Sequence, residues 1–326
     1  MIQRYLYGAW VGIILVFLLQ YNTFAQNRVK KSSIPSNIEF ERIYLEPGQE
    51  NVIIYCMIQD HQGFMWFGTQ KALVKFDGYG TTRYTYRVSD TTSISGNSIL
   101  SLYEDRDGNI WVGTLIHGLN RFDRKTGKFK RFEHDPENPR SLLNNQVFKI
   151  YQDHSGTIWV GTIHGLNRYD GDRKGFTRFL YDPKQPDSLA RQNSTKGIFQ
   201  DEEGNLWVGT FRGLYKLDLT SGKLSKFTHD PNDPHSLSAN SITHIIGDEK
   251  GNLWISTDEG GINYYDRGKN QFERFAHNPN DPGSISNNTV WSILLDRNGN
   301  LWAGTEGGVN IFDRQTGKFT RLVSDP

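Results

Sequence analysis

From about residue 40 onward, the apolar positions fall into short runs of four to seven residues that mix aliphatic with aromatic side chains and are broken by polar, glycine-containing turns. No run keeps the three- and four-residue spacing of an amphipathic helix, so the pattern predicts strands. The runs come in fours. In "NSITHIIGDEKGNLWISTDEGGINYYDRGKNQFERFAHNPNDPGSIS" (240–286) they are "SITHII", "LWIST", "GINYYD" and "FERFA", here named strands A to D. The B run carries Trp66, Trp111, Trp159, Trp207, Trp254 and Trp302, separated by 45, 48, 48, 47 and 48 residues, and this one period orders the chain.

The turns agree with antiparallel pairing. Run A is followed by Asp-x-x-Gly, as in "DRDGN" (105–109), "DEEGN" (201–205) and "DRNGN" (296–300), where Asp can hold the backbone ahead and Gly can take a positive φ. "DRKTG" and "DRQTG" after run C are built alike. Four antiparallel strands repeated at this period predict an all-β fold, a β-propeller of four-stranded blades, with the strand B tryptophan packed between adjacent blades. Parallel β-helices have shorter coils, and solenoids of helices would need helical periodicity. Six A–B–C sets are present, but a seventh D-like run stands near Phe40. That orphan strand predicts an incomplete seven-bladed ring, closed by a further A–B–C set beyond Pro326, so that "GKFTRLVSDP" reads as the D strand of the sixth blade followed by a cut. The expected organisation is a signal peptide over 1–25, a linker over 26–37 and propeller repeats over 38–326.

The first 25 residues carry their own pattern: Arg4, an apolar stretch from about Tyr5 to Leu19, and Ala25 at a cleavage point. This predicts a secretory signal, with an uncleaved anchor as the alternative. The apolar core is short against the about 20 residues that span a bilayer. Export places the mature protein in the periplasm, or on the periplasmic face of the inner membrane within a longer sensor. Removing Arg4 with the signal leaves 36 basic and 36 acidic side chains, a balance that gives no electrostatic footing for nucleic acid. The single cysteine, Cys56, lies in the apolar run "VIIYCMIQD", which predicts buried packing and leaves the exported chain without internal disulfides. A mean hydropathy of −0.61 beside 13% aromatics requires the apolar groups to be concentrated at few positions, which the repeat supplies.

Alternating chain direction puts the B–C turns and the D-to-A connections on one face. There the copies differ most within a constant Gly-Thr…Gly frame: Gln70-Lys71, Leu115-Ile116-His117, Ile163-His164, Phe211-Arg212, Asp258-Glu259-Gly260 and Glu306-Gly307. Variation mounted on a repeated scaffold makes Lys71, His117, His164, Phe211, Arg212, Glu259 and Glu306 the candidate ligand-binding residues, against the plainer reading of solvated turns. The D-to-A connections, such as "HDPNDPHSLSAN", end in Asn51, Asn97, Asn145, Asn193, Asn240 and Asn288. A repeated bond that caps the loop explains these amides without a ligand. "EDRDGN" resembles part of a calcium loop but has Ile116 where a bidentate Glu belongs. His117, His134, His164 and His229 lack the close pairing of zinc ligands. No nucleophile or phosphate-binding motif is present, so neither a catalytic residue nor a metal or other cofactor is expected.

The copy "DRDGNIWVGTLIHGLNRFDRKTGKFKRFEHDPENPRSL" (105–142) closely resembles the two-component regulator propeller repeat, and the likeness extends over about 38–326. Blade 1 departs most, with Lys71-Ala72 where other copies place the turn glycine. The resemblance implies the extracytoplasmic sensor region of a hybrid histidine kinase, commonly responsive to oligosaccharides, with two seven-bladed propellers, an immunoglobulin-like sandwich, a membrane helix and a kinase in a full member. It supplies no short ligand-binding motif to carry over. The partners it implies are an oligosaccharide or other small molecule and a kinase module in the same polypeptide or a separate one, and a homodimer is admitted. No kinase box lies in these residues, so the chain as given is expected not to be an enzyme. Two other readings stand beside the sensor: a protein-binding scaffold, and a propeller lyase using His and acidic residues, as some propellers with similar repeats are.

Overall fold

The computed structural model describes Leu45 and residues 52–180 and 191–322. Among the described residues, twenty-four strands form six four-stranded antiparallel sheets, each in the order A, B, C, D. Blade 1 comprises Ile54–Gln59, Met65–Thr69, Leu73–Phe76 and Thr81–Tyr84; blade 2 comprises Ile99–Glu104, Ile110–Thr114, Leu119–Asp123 and Lys128–Phe132. Blade 3 runs through Val147–Gln152, Ile158–Thr162, Gly165–Tyr169 and Phe176–Phe179, and blade 4 through Thr195–Gln200, Asn205–Thr210, Gly213–Asp218 and Leu224–Phe227. Blade 5 takes Ile242–Gly247, Leu253–Thr257, Ile262–Asp266 and Gln271–Phe275, and blade 6 takes Val290–Leu295, Leu301–Thr305, Gly308–Asp313 and Lys318–Leu322. The fold is an all-β propeller of six blades. A single 3-10 turn, Arg191–Asn193, is the only helical element among the described residues. The strand expected near Phe40 and the signal segment lie outside the described residues.

The residues group into two compact units. One holds blades 1 and 2, up to Glu137 and with Asn145–Val147; the other holds Asn138–Asn144 and the chain from Phe148 onward.

Each A–B hairpin is built around its aspartate. In blade 1, Asp60 Oδ1 accepts the amides of Gln62 and Phe64 at 3.0 and 2.9 Å, and Gly63 follows with φ 89°. The other oxygen does something the turn alone does not require. Asp60 Oδ2 accepts the indole N–H of Trp66 at 2.7 Å, and the same pair forms between Asp105 and Trp111 (2.7 Å), Asp153 and Trp159 (2.8 Å), Asp201 and Trp207 (2.8 Å), and Asp296 and Trp302 (3.1 Å). A tryptophan that fills a core must find a partner for its N–H, and the turn carboxylate is that partner. Blade 5 is the exception. Tyr264 takes Asp248 instead, donating to Oδ2 at 3.0 Å, and Trp254 Nε1 has no acceptor among the described residues. Burial, and then the bond to Asp248, push the Tyr264 hydroxyl up to about 12.

The tryptophans pack between neighbouring blades, as the period predicts. Trp66 sits with Ile99, Val112, Phe122 and Phe129 of blade 2, Trp159 with Ile198, Leu206 and Val208 of blade 4, Trp207 with Ile242 and Ile255 of blade 5, and Trp254 with Val290, Leu301 and Phe312 of blade 6. The glycine of the strand B "GT" pair is explained by the same packing. A Cβ on Gly209 would lie 2.4 Å from Ile242 Cγ2, so strand A of the next blade is laid directly on the strand B backbone. Cys56 is half-buried, not fully so. It packs against the blade 1 to blade 2 cluster, and its place on strand A, where exposed and half-buried residues alternate, keeps one side toward solvent.

Candidate functional site

The B–C turns are clamped by the threonine that ends strand B. Its hydroxyl donates across the turn in every copy: Thr69 to Ala72 O, Thr114 to Gly118 O, Thr162 to Gly165 O, Thr210 to Gly213 O, Thr257 to Gly261 O and Thr305 to Gly308 O, at 2.8–3.0 Å. The blade 1 departure is thereby accommodated, because Ala72 supplies the carbonyl that glycine supplies elsewhere. The same oxygen accepts the backbone N–H of Lys71 (3.1 Å), His117 (2.9 Å) and Arg212 (3.0 Å). Backbones held this way leave the side chains free to differ, which is what a recognition surface needs.

The D-to-A connections are also built. Asn97, Asn145, Asn240 and Asn288 each accept, at 2.6–2.8 Å, the backbone N–H of the residue eleven positions earlier, which is the loop-capping role expected of them. An arginine from strand D of the following blade then grips the loop carbonyls. Arg131 Nε donates to Ser93 O at 2.8 Å, Arg274 to Ser236 O at 2.9 Å and Arg321 to Ser284 O at 3.0 Å. The histidines of "HDP" serve the loop too, with His229 Nδ1 2.7 Å from Leu237 O and His277 Nδ1 2.7 Å from Ile285 O.

In the first unit, Lys71 and His117 are exposed. The His117 ring stacks on Tyr86 at 6.3 Å and 9°, and the Arg131 guanidinium lies 5.4 Å from the Tyr86 ring centre. In the second unit, His164 is half-buried, with Nδ1 3.4 Å from Asn144 Nδ2. Arg212 is half-buried, whereas Glu259 and Glu306 are exposed; Glu259 adopts φ 84°, an uncommon conformation for a side-chain-bearing residue. Phe211 is 39% exposed and meets a lysine that the turn pattern does not flag: Lys196 Nζ is 4.6 Å from the Phe211 ring centre and 5.6 Å from that of Phe148. Burial holds the Lys196 ammonium below the usual lysine range, and the charge of Asp258 acts against that.

A second grouping lies on the A strands. Lys149 Nζ of blade 3 is 2.9 Å from His244 Nε2 of blade 5, while His244 Nδ1 is 3.3 Å from both Ser292 Oγ and the Ile293 amide. Blade 4 carries Gly197 at the equivalent place, so no side chain of that blade intervenes. Burial, and then the Lys149 charge, hold His244 well below the ordinary histidine value, keeping the imidazole neutral. Sequence reading centred on the turns missed Tyr86, Phe148, Lys196, Lys149 and His244. The available signal was the strand A position read as Phe148, Lys196, Thr243 and Trp291, which varies as much as the turns do. Among the described residues, no group of three or more metal-ligating side chains converges.

Six segments, 48–71, 93–115, 141–164, 188–212, 236–259 and 284–307, match the two component regulator propeller family, one in each blade. The chain is built of two component regulator propeller repeats. Among curated proteins nothing matches it. Among solved structures it is similar to the extracellular domain of a protein described as a hybrid two component system of B. thetaiotaomicron, at 28% identity and a TM-score of 0.56, covering 83% of this chain and 41% of that one. A second such extracellular domain from the same organism is 19% identical, with a TM-score of 0.43, over 86% of this chain and 53% of that one. The chain therefore spans about half or less of the length of these relatives. Virginiamycin B lyase of Staphylococcus aureus, crystallised as a catalytically inactive variant with quinupristin, shares the fold at 16% identity and a TM-score of 0.62, over 89% of this chain and 87% of that one. Among the described residues, no helix is long and apolar enough to cross a membrane.

Proposed function

We propose that the chain is the exported, ligand-sensing propeller segment of a two component sensor, that it binds a glycan through side chains of its B–C turns, and that binding is passed to a histidine kinase module. The observation that carries this reading is the 28% identity over 83% of the chain with the extracellular domain described as part of a hybrid two component system. The site chemistry supports the glycan. Sugars are held by aromatic faces beside hydrogen-bonding side chains; Phe211 with Arg212 stands on a turn fixed by Thr210, and His117, on a turn fixed by Thr114, stacks on Tyr86 of the D-to-A connection. In this reading Lys71, His164, Glu259 and Glu306 tune which sugar each turn accepts, and residues 1–25 are removed on export.

Calorimetric titration of the full-length protein against a panel of oligosaccharides tests the proposal. Saturable heat with one class, weakened by Phe211→Ala or His117→Ala, is the expected result. Silence across the whole panel would rule out glycan sensing.

A further inference from the structure

We infer that Lys196, with Phe211 and Phe148, forms a subsite for an anionic sugar residue, the acid group meeting the ammonium while the sugar ring lies on Phe211. The inference rests on the glycan-sensing reading and adds to it the chemical class of one residue of the ligand.

Lys196 stands on strand A of blade 4, at a position occupied by Tyr55, Leu100, Phe148, Thr243 and Trp291 in the other blades, so a cation appears there in this copy alone. Lys196 is half-buried, and its Nζ is faced by two aromatic rings at 4.6 and 5.6 Å. Aromatic faces attract a cation but offer no oxygen to its three N–H donors. Among the described residues, no carboxylate, hydroxyl or carbonyl oxygen lies within hydrogen-bond distance of that ammonium, so its donors are left to whatever reaches the turn face. Burial that lowers its pKa is the electrostatic counterpart: the charged form is short of compensation, and an incoming anion supplies it. Asp258, on the B–C turn of blade 5, acts on Lys196 through its charge without forming an ion pair with it.

Phe211 gives the subsite its shape. At 39% exposure its ring is reachable, and the turn that carries it is fixed by the bond from the Arg212 backbone N–H to the Thr210 hydroxyl. A pyranose that carries an acid group offers an apolar C–H face and an anion a few ångström apart, which is the separation of ring and ammonium here. A carboxylate and a sulfate ester share this chemistry, and the experiment separates them.

Isothermal titration of the full chain would use glucuronate- and galacturonate-containing oligosaccharides, sulfated oligosaccharides, and the same compounds with the acid groups esterified or removed. An acidic member is expected to bind about tenfold to a hundredfold more tightly than its neutral counterpart. Lys196→Met should abolish that preference, Lys196→Arg should retain most of it, Phe211→Ala should weaken acidic and neutral forms alike, and Asp258→Asn should tighten the acidic form. An unchanged melting temperature establishes that the variants are folded; a Lys196→Met protein that is not folded is replaced by Lys196→Gln. Neutral oligosaccharides binding as tightly as acidic ones, or an acid preference surviving in Lys196→Met, would overturn the subsite and leave glycan sensing standing. No binding by any member would overturn both.

Discussion

Replacing Asp60 by Asn changes one atom type at the centre of the blade 1 turn, and the structure specifies what that costs. The carboxylate side chain is fully buried and receives four donors: the Gln62 and Phe64 amides on Oδ1, and Trp66 Nε1 (2.7 Å) and Arg124 Nη1 (2.9 Å) on Oδ2. An amide has one oxygen, so two of these donors would face an NH2 group. If the turn amides keep the oxygen, Arg124 still holds Glu104 Oε1 at 2.6 Å and Gly108 O at 2.5 Å, but Trp66 Nε1 is left buried with nothing to donate to. A buried orphaned donor costs about 1–3 kcal/mol and a lost charge-assisted bond about 1.5–3 kcal/mol, discounted here by the other partners of Arg124. The total is about 2–4 kcal/mol, or roughly 3–7 °C in melting temperature for a chain of this size. Tryptophan fluorescence and circular dichroism melts measure it. Asp248→Asn is the internal control, because Trp254 Nε1 has no acceptor to lose and the Tyr264 hydroxyl can rotate; about 1 kcal/mol or less is expected there. Equal losses in the two variants would refute the claim that the indole bond, and not the turn alone, secures the blade. The pH dependence gives a second reading. Burial raises the Asp60 carboxyl, but the bonds from Trp66 and Arg124 outweigh it and hold the pKa below the ordinary aspartate value. Its stabilising contribution is therefore full above the unfolded value of about 3.9 and is lost as the pH falls through the folded one, a loss that Asp60→Asn should flatten.

Trp159→Ala should cost about 3–5 kcal/mol, since the ring is 2% exposed and fills the cluster shared with blade 4, and an unchanged melting temperature would refute its packing role. Gly209→Ala should destabilise by about 1–3 kcal/mol because its Cβ would meet Ile242 Cγ2 at 2.4 Å, whereas Gly304→Ala, whose nearest neighbour would be 3.9 Å away, should be almost neutral; thermal melts of the pair decide. His244 is held neutral in the folded state, so the unfolded chain takes up its proton first as the pH falls below about 6.5, and stability should decline by at most about 1.4 kcal/mol per pH unit from this group. Urea midpoints at pH 7.5 and 5.5 should therefore separate more for the native protein than for His244→Gln.

How much of this was legible can be judged residue by residue. The Trp period, the Asp-x-x-Gly turns and the alternation of short apolar runs predicted four-stranded blades with boundaries within a residue or two of those observed, because a hairpin is a local object whose register its own turn sets. The role of the loop asparagines was legible for the same reason: Asn240 bonds a backbone N–H only eleven residues away. The bond from Trp66 to Asp60 was open to detection in the constant spacing of six, but a spacing does not show which of two carboxylate oxygens is spare.

The candidate site was legible only in part. A turn pattern marks Phe211 as variable, yet says nothing about which residue of another strand will come to lie on its ring. Lys196 meets Phe148, 48 positions away, because neighbouring blades lay their A strands side by side, and Lys149 reaches His244, 95 positions and two blades away, past the side-chain-free Gly197 of blade 4. Repetition in the sequence alone determined the blade, its turns and the tryptophan wedge, since each is closed by contacts within one period or repeated identically between periods. Only the tertiary structure decided which unlike side chains become neighbours. Such pairs differ from copy to copy, and their charge, burial and distance are properties of the packing between blades and of no single blade's sequence.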